Sequence, residues 1–135
     1  MPIVFINCSI YPFIERIIKG LKVYETRNAN TLKSLIGKTV YLCETGSSKD
    51  KIVRCQAVIA AVVPVSFLSR YNRFRTECCI KPGSIYDFKP GRTKYLYLLT
   101  DIKPVVPFIP EEGKRHGFMG SVWMNYNGKK VICNA

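Results

Sequence analysis

The residue types best suited to chemistry lie in one short stretch, Gly20-Leu21-Lys22-Val23-Tyr24-Glu25-Thr26-Arg27. Glu25 can form a charge-assisted pair with Arg27 and so orient the guanidinium toward a phosphate or the edge of a base. If the chain is an enzyme, Lys22, Tyr24 and Glu25 are the candidate catalytic residues, because they can supply the acid and the base of a proton transfer. The structural alternative is an ion pair between Glu25 and Arg27 beside a solvated Lys22.

A helix and a strand must position these side chains. Apolar residues recur at helical spacing from Ile14 to Leu21, and Gly20 suits the left-handed residue that ends a helix. In the strand that follows, alternation places Glu25 and Arg27 on one face and Lys22 on the other. We therefore expect Lys22 to reach Glu25 only if Lys22 lies in the turn after Gly20, before regular pleating begins.

A second stretch interleaves cations with aromatic rings, Arg70-Tyr71-Asn72-Arg73-Phe74-Arg75. Such rings can stack on unpaired bases while the arginines bind phosphates. Arg70 and Tyr71 are therefore candidate nucleic-acid-binding residues. The alternative is an amphipathic helix whose rings belong to the core and whose arginines are solvated, which fits Phe74 better than Tyr71.

Four further residues are candidates for the same interface. The loop 113–120 carries Lys114 and Arg115 among glycines, so that backbone amides can approach a phosphate closely, and a plain basic loop is the alternative. Trp123 can stack on a base, although a lone tryptophan in a strand often belongs to the core. Ser9 can donate a hydrogen bond to a phosphate.

The charge balance favours a polyanionic partner. Twenty-one Lys and Arg against nine Asp and Glu leave a formal net charge of +12. Folding does not need this excess, since unbalanced charge repels itself, whereas nucleic acid binding uses it through phosphate neutralisation. We expect RNA or a nucleotide as the partner, with DNA as an alternative. A basic surface that serves only solubility is the other interpretation.

The longest apolar run, from Ala57 to Val65, is too short to cross a bilayer, which needs about 20 apolar residues. The N-terminus lacks the pattern of a signal peptide. We therefore predict no membrane partner and a cytoplasmic protein. No feature of the sequence predicts an oligomeric state.

The six cysteines lack the C-x-x-C pairs of zinc ribbons, and His116 is the single histidine. We therefore predict no metal site, and nothing in the sequence calls for a cofactor. Reduced cysteines in apolar segments behave as small buried hydrophobes. The vicinal pair Cys78-Cys79 fits packing better than redox chemistry.

The chain fits one domain spanning residues 1–135. Six or seven short strand-like segments and one or two helices predict an α+β domain built on a closed or nearly closed barrel.

These pieces, in this order, resemble the ASCH family. Ser9-Ile10-Tyr11-Pro12 leads into the helix, Gly20-x-Lys22-x-x-Glu25-x-Arg27 follows, and a strand introduced by Gly37 comes next. The segment from Ile102 to Trp123 also resembles the end of ASCH and related PUA-like barrels. The match spans most of residues 3–126.

The resemblance implies a PUA-like β-barrel of about six strands with one or two short helices. It also implies a cleft between the helix and the barrel, lined by Lys22, Glu25 and Arg27. Members of the family are linked to RNA or DNA binding, to hydrolysis of N-acetylated cytidine and to ribonuclease activity. The expected function is therefore binding of RNA or a modified nucleotide in a basic cleft, with a hydrolase as the alternative.

One departure from the family bears on that choice. In the cytidine amidohydrolases of the family, a threonine nucleophile follows the lysine by three residues, and a more distant glutamate completes the set. Here Glu25 stands at that position, and Thr26 is one residue out of register. Glu77 falls near the distant glutamate. The departure favours binding over amide hydrolysis.

Overall fold

The computed structural model describes residues 1–46, 51–110, 122–124, 126 and 130–132, with only the backbone described at 123 and 130–132. Among these residues, seven strands form one mixed sheet: β1 (Ile3–Asn7), β2 (Tyr24–Arg27), β3 (Thr39–Thr45), β4 (Ile52–Val65), β5 (Lys94–Pro110), β6 (Val122–Trp123) and β7 (Lys130–Ile132). Three short helices accompany them: α1 (Phe13–Ile18), α2 (Leu68–Tyr71) and α3 (Arg75–Cys78). A 3₁₀ turn covers Lys33–Leu35.

The strand order is β2-β5-β4-β3-β1-β6, and β7 pairs with β5. β1 and β3 run parallel, and the other pairs are antiparallel. The α+β class predicted from the sequence is confirmed. The ladders found among the described residues follow an open path from β2 to β6, and closure of the sheet into a barrel stays a prediction.

The sheet is built on the long antiparallel pair of β4 and β5. Their register runs from Val53 opposite Phe108 to Val65 opposite Lys94, with three shifts along the way. Extra residues at such shifts bend a strand and increase its twist. The curved pair brings the start of β5 beside β2, where Tyr95 lies opposite Arg27.

The core lies between the helices and the sheet. Ile14 and Ile17 of α1 are buried in one cluster with residues of β1, β3, β4 and β5. Tyr71 of α2 and Cys78 of α3 are buried in a second cluster with Leu96 of β5. Burial of a large apolar side chain contributes about 1.5–3 kcal/mol, so these contacts fix the helices on the sheet.

The stretch 70–75, for which a helix is the alternative interpretation, is divided between α2 and α3. Between them, Arg73 and Phe74 donate backbone hydrogen bonds to Arg70 and Tyr71, in the i to i−3 pattern of a tighter turn. Within the described ranges the helices therefore number three, where the sequence predicts one or two. In the described part of the chain, no helix has the length and apolar character needed to cross a membrane.

Candidate functional site

A cavity of about 360 Å³ lies where β1, α1, β2 and the start of β5 meet. Its walls include Lys22, Glu25 and Arg27, the three residues that the sequence predicts to share a cleft. Thr26 and Asn28 of the same stretch also line it, and the remaining lining residues come from five other parts of the chain: Phe5, Ile6, Asn7, Phe13, Thr45, Tyr86 and Lys94.

The turn after α1 brings Lys22 to this cavity. Gly20 has a φ of 77°, the left-handed conformation that ends a helix. The amides of Leu21 and Lys22 then both donate to the carbonyl of Arg16, at 2.9 and 3.1 Å. Lys22 therefore lies in the turn, before β2 begins at Tyr24. This is the condition under which Lys22 was expected to reach Glu25.

The side chain of Lys22 is almost completely buried, with 1% of its surface exposed. Its Nζ donates to the carbonyl oxygen of Cys78 at 2.6 Å and lies 4.6 Å from the centroid of the Phe13 ring. Glu25 Oε1 is 4.0 Å from the same nitrogen. Burial lowers the pKa of Lys22, and the charge of Glu25 opposes that shift.

Glu25 and Arg27 share one face of β2, as alternation predicts. Arg27 Nη2 lies 3.0 Å from Glu25 Oε2 and 2.8 Å from the carbonyl oxygen of Phe5. The amide of Thr26 donates to Glu25 Oε1 at 3.1 Å. The Nε of Arg27 is buried and has no hydrogen-bond partner among the described residues. An unsatisfied buried donor is costly, so a ligand acceptor at this nitrogen would stabilise the site.

Lys94 is a cavity residue that the sequence analysis missed. It begins β5 and is buried, and its Nζ donates to Asn28 Oδ1 at 3.1 Å. The hydrogen-bond partner of Lys94 is thus a neutral amide. Within the described ranges Lys94 forms no ion pair. Burial lowers the pKa of Lys94, and the neighbouring charge of Lys89 lowers it further.

Aromatic rings form another wall of the cavity. Phe13 and Tyr86 meet edge to face, with their centroids 5.5 Å apart. Tyr11 also contacts Tyr86, at 6.3 Å between centroids. Asn7 and Thr45 lie opposite each other where β1 and β3 end, and both line the cavity. The cavity thus combines rings, amides and a hydroxyl with the cations of Lys22, Arg27 and Lys94 and the carboxylate of Glu25.

Two candidate residues lie near this region without lining the cavity. Ser9 is exposed, and its amide donates to Asn7 Oδ1 at 2.9 Å. Tyr24 lies one residue out of phase with Glu25 in β2, and its ring packs edge to face on Phe74. The structure therefore gives Tyr24 no place among the groups that surround the cavity.

Arg70 and Tyr71 have different surroundings. Arg70 is exposed and lines a separate groove of about 400 Å³ with Arg73 and Phe74. Tyr71 is fully buried, and its ring stacks on Phe88 at 5.4 Å. This corrects the prediction that Tyr71 stacks on a base, since its ring belongs to the core.

The reason for that correction is the length of α2. A helix of one turn points a single ring at the sheet, and Tyr71 is the residue that does so. Phe74, for which the core interpretation fits better than for Tyr71, lies after α2, is half-buried and packs against the same cluster.

Lys114 and Arg115 lie outside the described residues, and so does the side chain of Trp123, whose backbone belongs to β6. Glu77 is exposed in α3 and does not line the cavity. In the parts of the chain that are described, no group of three or more His, Cys, Asp or Glu residues could hold a metal ion.

No protein-family model and no curated protein matches this chain. Solved structures do match. The crystal structure of ASCH from Zymomonas mobilis is 20% identical and covers 93% of this chain and 87% of that one, with a TM-score of 0.72. A tyrosine-to-phenylalanine mutant of that protein is also 20% identical, with coverages of 93% and 90% and a TM-score of 0.70. A serine-to-alanine mutant is 21% identical, with coverages of 80% and 72% and a TM-score of 0.65.

The resemblance predicted from the stretch Gly20 to Arg27 is thus confirmed at the level of the fold. The chain therefore has the fold of these ASCH structures.

Proposed function

We propose that the chain binds single-stranded RNA, or a modified base or nucleotide, in the cavity lined by Lys22, Glu25 and Arg27. The observation that carries the proposal is the set of charges around this cavity. Three cations and one carboxylate surround it, and the hydrogen-bond partner of Lys94 is a neutral amide. A buried ammonium that forms no ion pair within the described residues is costly, so an anionic ligand would stabilise Lys94.

The size and the walls of the cavity also support a nucleotide. Ligand cavities in proteins measure roughly 300–1,000 Å³, and this one has about 360 Å³. The rings of Phe13 and Tyr86 offer surfaces on which a base can stack. Glu25 can accept a hydrogen bond from the amino group of a base, while the free Nε of Arg27 can donate to a base or a phosphate.

The test is a binding measurement on the Lys22→Gln, Arg27→Gln double variant. Glutamine removes both charges and keeps a neutral polar side chain at each position. We expect the affinity for a fluorescent single-stranded RNA to fall about 100-fold, since a hydrogen bond to a charged group contributes about 1.5 kcal/mol or more. Fluorescence anisotropy at one fixed salt concentration measures the change, and circular dichroism checks the fold.

The matched control is the Lys38→Gln, Lys103→Gln double variant. It removes the same net charge from two exposed lysines that do not line the cavity. Lys38 precedes β3, at the end of the strand remote from the cavity residue Thr45. We expect the RNA affinity of this control to fall by less than about threefold, because only the overall electrostatic field of the protein changes. Equal affinities of the two double variants would overturn the site assignment.

A DNA oligomer of the same sequence, measured beside the RNA, tests the choice of nucleic acid. The 2′-hydroxyl distinguishes the two ligands, and it both donates and accepts hydrogen bonds. The side chains of Asn7, Asn28 and Thr45 in the cavity wall offer partners for it. We expect the RNA to bind more tightly, and equal affinities would extend the proposal to DNA.

A hydrolase is the second candidate, favoured by Lys22. The buried ammonium has a lowered pKa and lies 4.0 Å from Glu25, and a lysine of lowered pKa in a cavity is suited to proton transfer. Purified protein incubated with labelled single-stranded RNA, and separately with N-acetylcytidine, tests this candidate. Turnover that is lost in a Glu25→Gln variant would identify an enzyme. Tight RNA binding without turnover would favour the RNA-binding module over the hydrolase.

A further inference from the structure

We propose that the ligand is a polynucleotide strand rather than a single nucleotide, and that Lys89 and Arg92 bind the phosphates next to the nucleotide in the cavity. This inference rests on the proposed function and specifies the form of the ligand. In this arrangement Lys94 binds the phosphate of the nucleotide inside the cavity, and the strand leaves over the turn that carries Lys89 and Arg92.

The first step is the continuity of the two surfaces. A second depression borders the cavity and shares Asn28 and Lys94 with it. Its other lining residues include Lys89, Arg92 and Thr93. At about 10 Å³ it is too small for a base, but a phosphate and its sugar can lie across it. The shared residues therefore mark an exit from the cavity that suits the backbone of a strand.

A tight turn places the two cations side by side. The amide of Arg92 donates to the carbonyl of Lys89 at 3.2 Å, and Gly91 between them has a φ of 81°. Proline at the second position and a left-handed glycine at the third are typical of a type II turn. Such a turn holds the Cα atoms of its first and last residues within about 7 Å. Lys89 and Arg92 therefore present two adjacent positive charges.

Neither of these charges is neutralised by the described part of the protein. Both side chains are exposed, and no ion pair of Lys89 or Arg92 occurs within the described ranges. The charge of Lys89 acts on Lys94, whose pKa it lowers. Lys94, Arg92 and Lys89 are thus three cations that follow one another from the cavity to the turn. Successive phosphodiesters would neutralise them and release their counterions.

The experiment compares two kinds of ligand on three proteins. The ligands are the four ribonucleoside monophosphates, each measured alone, and a short single-stranded RNA of mixed sequence. The proteins are the wild type, the Lys89→Gln, Arg92→Gln variant and the Lys38→Gln, Lys103→Gln control. All four substituted side chains are exposed, so the variants test charge rather than folding. Calorimetry at several salt concentrations gives the affinity and its salt dependence.

We expect the wild type to bind the RNA at least tenfold more tightly than the best monophosphate. The Lys89→Gln, Arg92→Gln variant should bind the RNA about tenfold more weakly, with a salt slope smaller by about 0.7 for each phosphate that it no longer neutralises. Its affinity for the monophosphate should equal that of the wild type. The control should stay within about threefold of the wild type for the RNA.

Three results would overturn the inference. The RNA affinity of the Lys89→Gln, Arg92→Gln variant could equal that of the control, or the wild type could bind the monophosphate as tightly as the RNA. Equal losses of RNA and monophosphate affinity would place Lys89 and Arg92 at the nucleotide itself. In each case binding to the cavity, and with it the proposed function, would stand. If the wild type bound neither a nucleotide nor RNA, both the proposed function and the inference about Lys89 and Arg92 would be wrong.

Discussion

The buried ammonium of Lys22 donates a 2.6 Å hydrogen bond to the carbonyl oxygen of Cys78, the last residue of α3. The bond joins the turn before β2 to a helix that lies more than fifty residues later in the chain. It satisfies one of the three donors of the ammonium, and Glu25 lies on another side at 4.0 Å. The position of the cation in the cavity therefore depends on α3 as well as on β2.

The burial of Lys22 predicts a pH-dependent contribution to stability. Its pKa in the folded protein lies below the usual 10.5, so between the two values the unfolded chain holds a proton that the folded protein has lost. Lys22 opposes folding most strongly below its folded pKa, and the free energy of unfolding rises as the pH increases through this window. We expect the stability difference between the wild type and a Lys22→Gln variant to shift in favour of the wild type as the pH increases.

Urea denaturation at neutral pH and at about pH 10 measures that difference. The Lys38→Gln variant, which replaces an exposed lysine, is the matched control. A stability difference for Lys22→Gln that is the same at both pH values would contradict the burial of a charged Lys22.

Gly20 is the residue whose backbone conformation leads Lys22 into the cavity. A Cβ atom at this position would meet nothing within 4 Å, so a side chain is opposed only by the φ of 77°. We expect Gly20→Ala to lower the free energy of unfolding by about 1 kcal/mol, and Gly20→Asn to lower it less, because asparagine tolerates the left-handed region. Urea denaturation of the two variants tests this order. An alanine variant as stable as the asparagine variant would exclude a left-handed Gly20.

The cavity wall carrying Tyr86 depends on Asp87. The carboxylate accepts hydrogen bonds from the amides of Gly83 and Phe88, both at 2.8 Å, and from Arg75 Nη1 at 2.9 Å. Burial opposes ionisation, but these bonds together lower the pKa of Asp87 below its usual 3.8. Its stabilisation is therefore present above about pH 3.8 and is lost as the pH falls through the folded pKa.

We expect Asp87→Asn to lower the free energy of unfolding by about 1–2 kcal/mol at neutral pH, and by less under acidic conditions. Denaturation curves at neutral pH and near pH 3 check both statements. Asp101→Asn, at an exposed aspartate, is the control. Equal costs of Asp87→Asn at the two pH values would show that ionised Asp87 does not stabilise the loop.

The part of the site that is local in the chain could be predicted from the sequence. The left-handed Gly20 and the strand alternation place Lys22, Glu25 and Arg27 together, and each depends on fewer than ten consecutive residues. Lys94 could not be found in this way. It reaches the cavity because β5 pairs with β2, and a sequence without an alignment does not reveal which strands pair. Its one local signal is a lysine directly before the β-prone run Tyr95 to Leu99.

The prediction that Tyr71 stacks on a base was wrong for the same reason, because it also depends on structure beyond the local sequence. Alternating cations and rings describe both an exposed stacking surface and a helix with buried rings, and the choice depends on how many turns the helix has. The bend after Tyr71 ends α2 after one turn and buries that ring against Phe88. The six or seven strands could be predicted, whereas the pairing of β6 with β1 and of β7 with β5 could not.

The most direct test of the central claim is an NMR titration of isotope-labelled protein with a short single-stranded RNA. If the cavity binds the RNA, the amide signals of Lys22, Glu25, Arg27 and Asn28 should shift and saturate together. The signal of Lys103, which lies away from the cavity on β5, should stay in place. Saturating shifts confined to Arg70 and its neighbours, or no shifts at high RNA concentration, would contradict the claim.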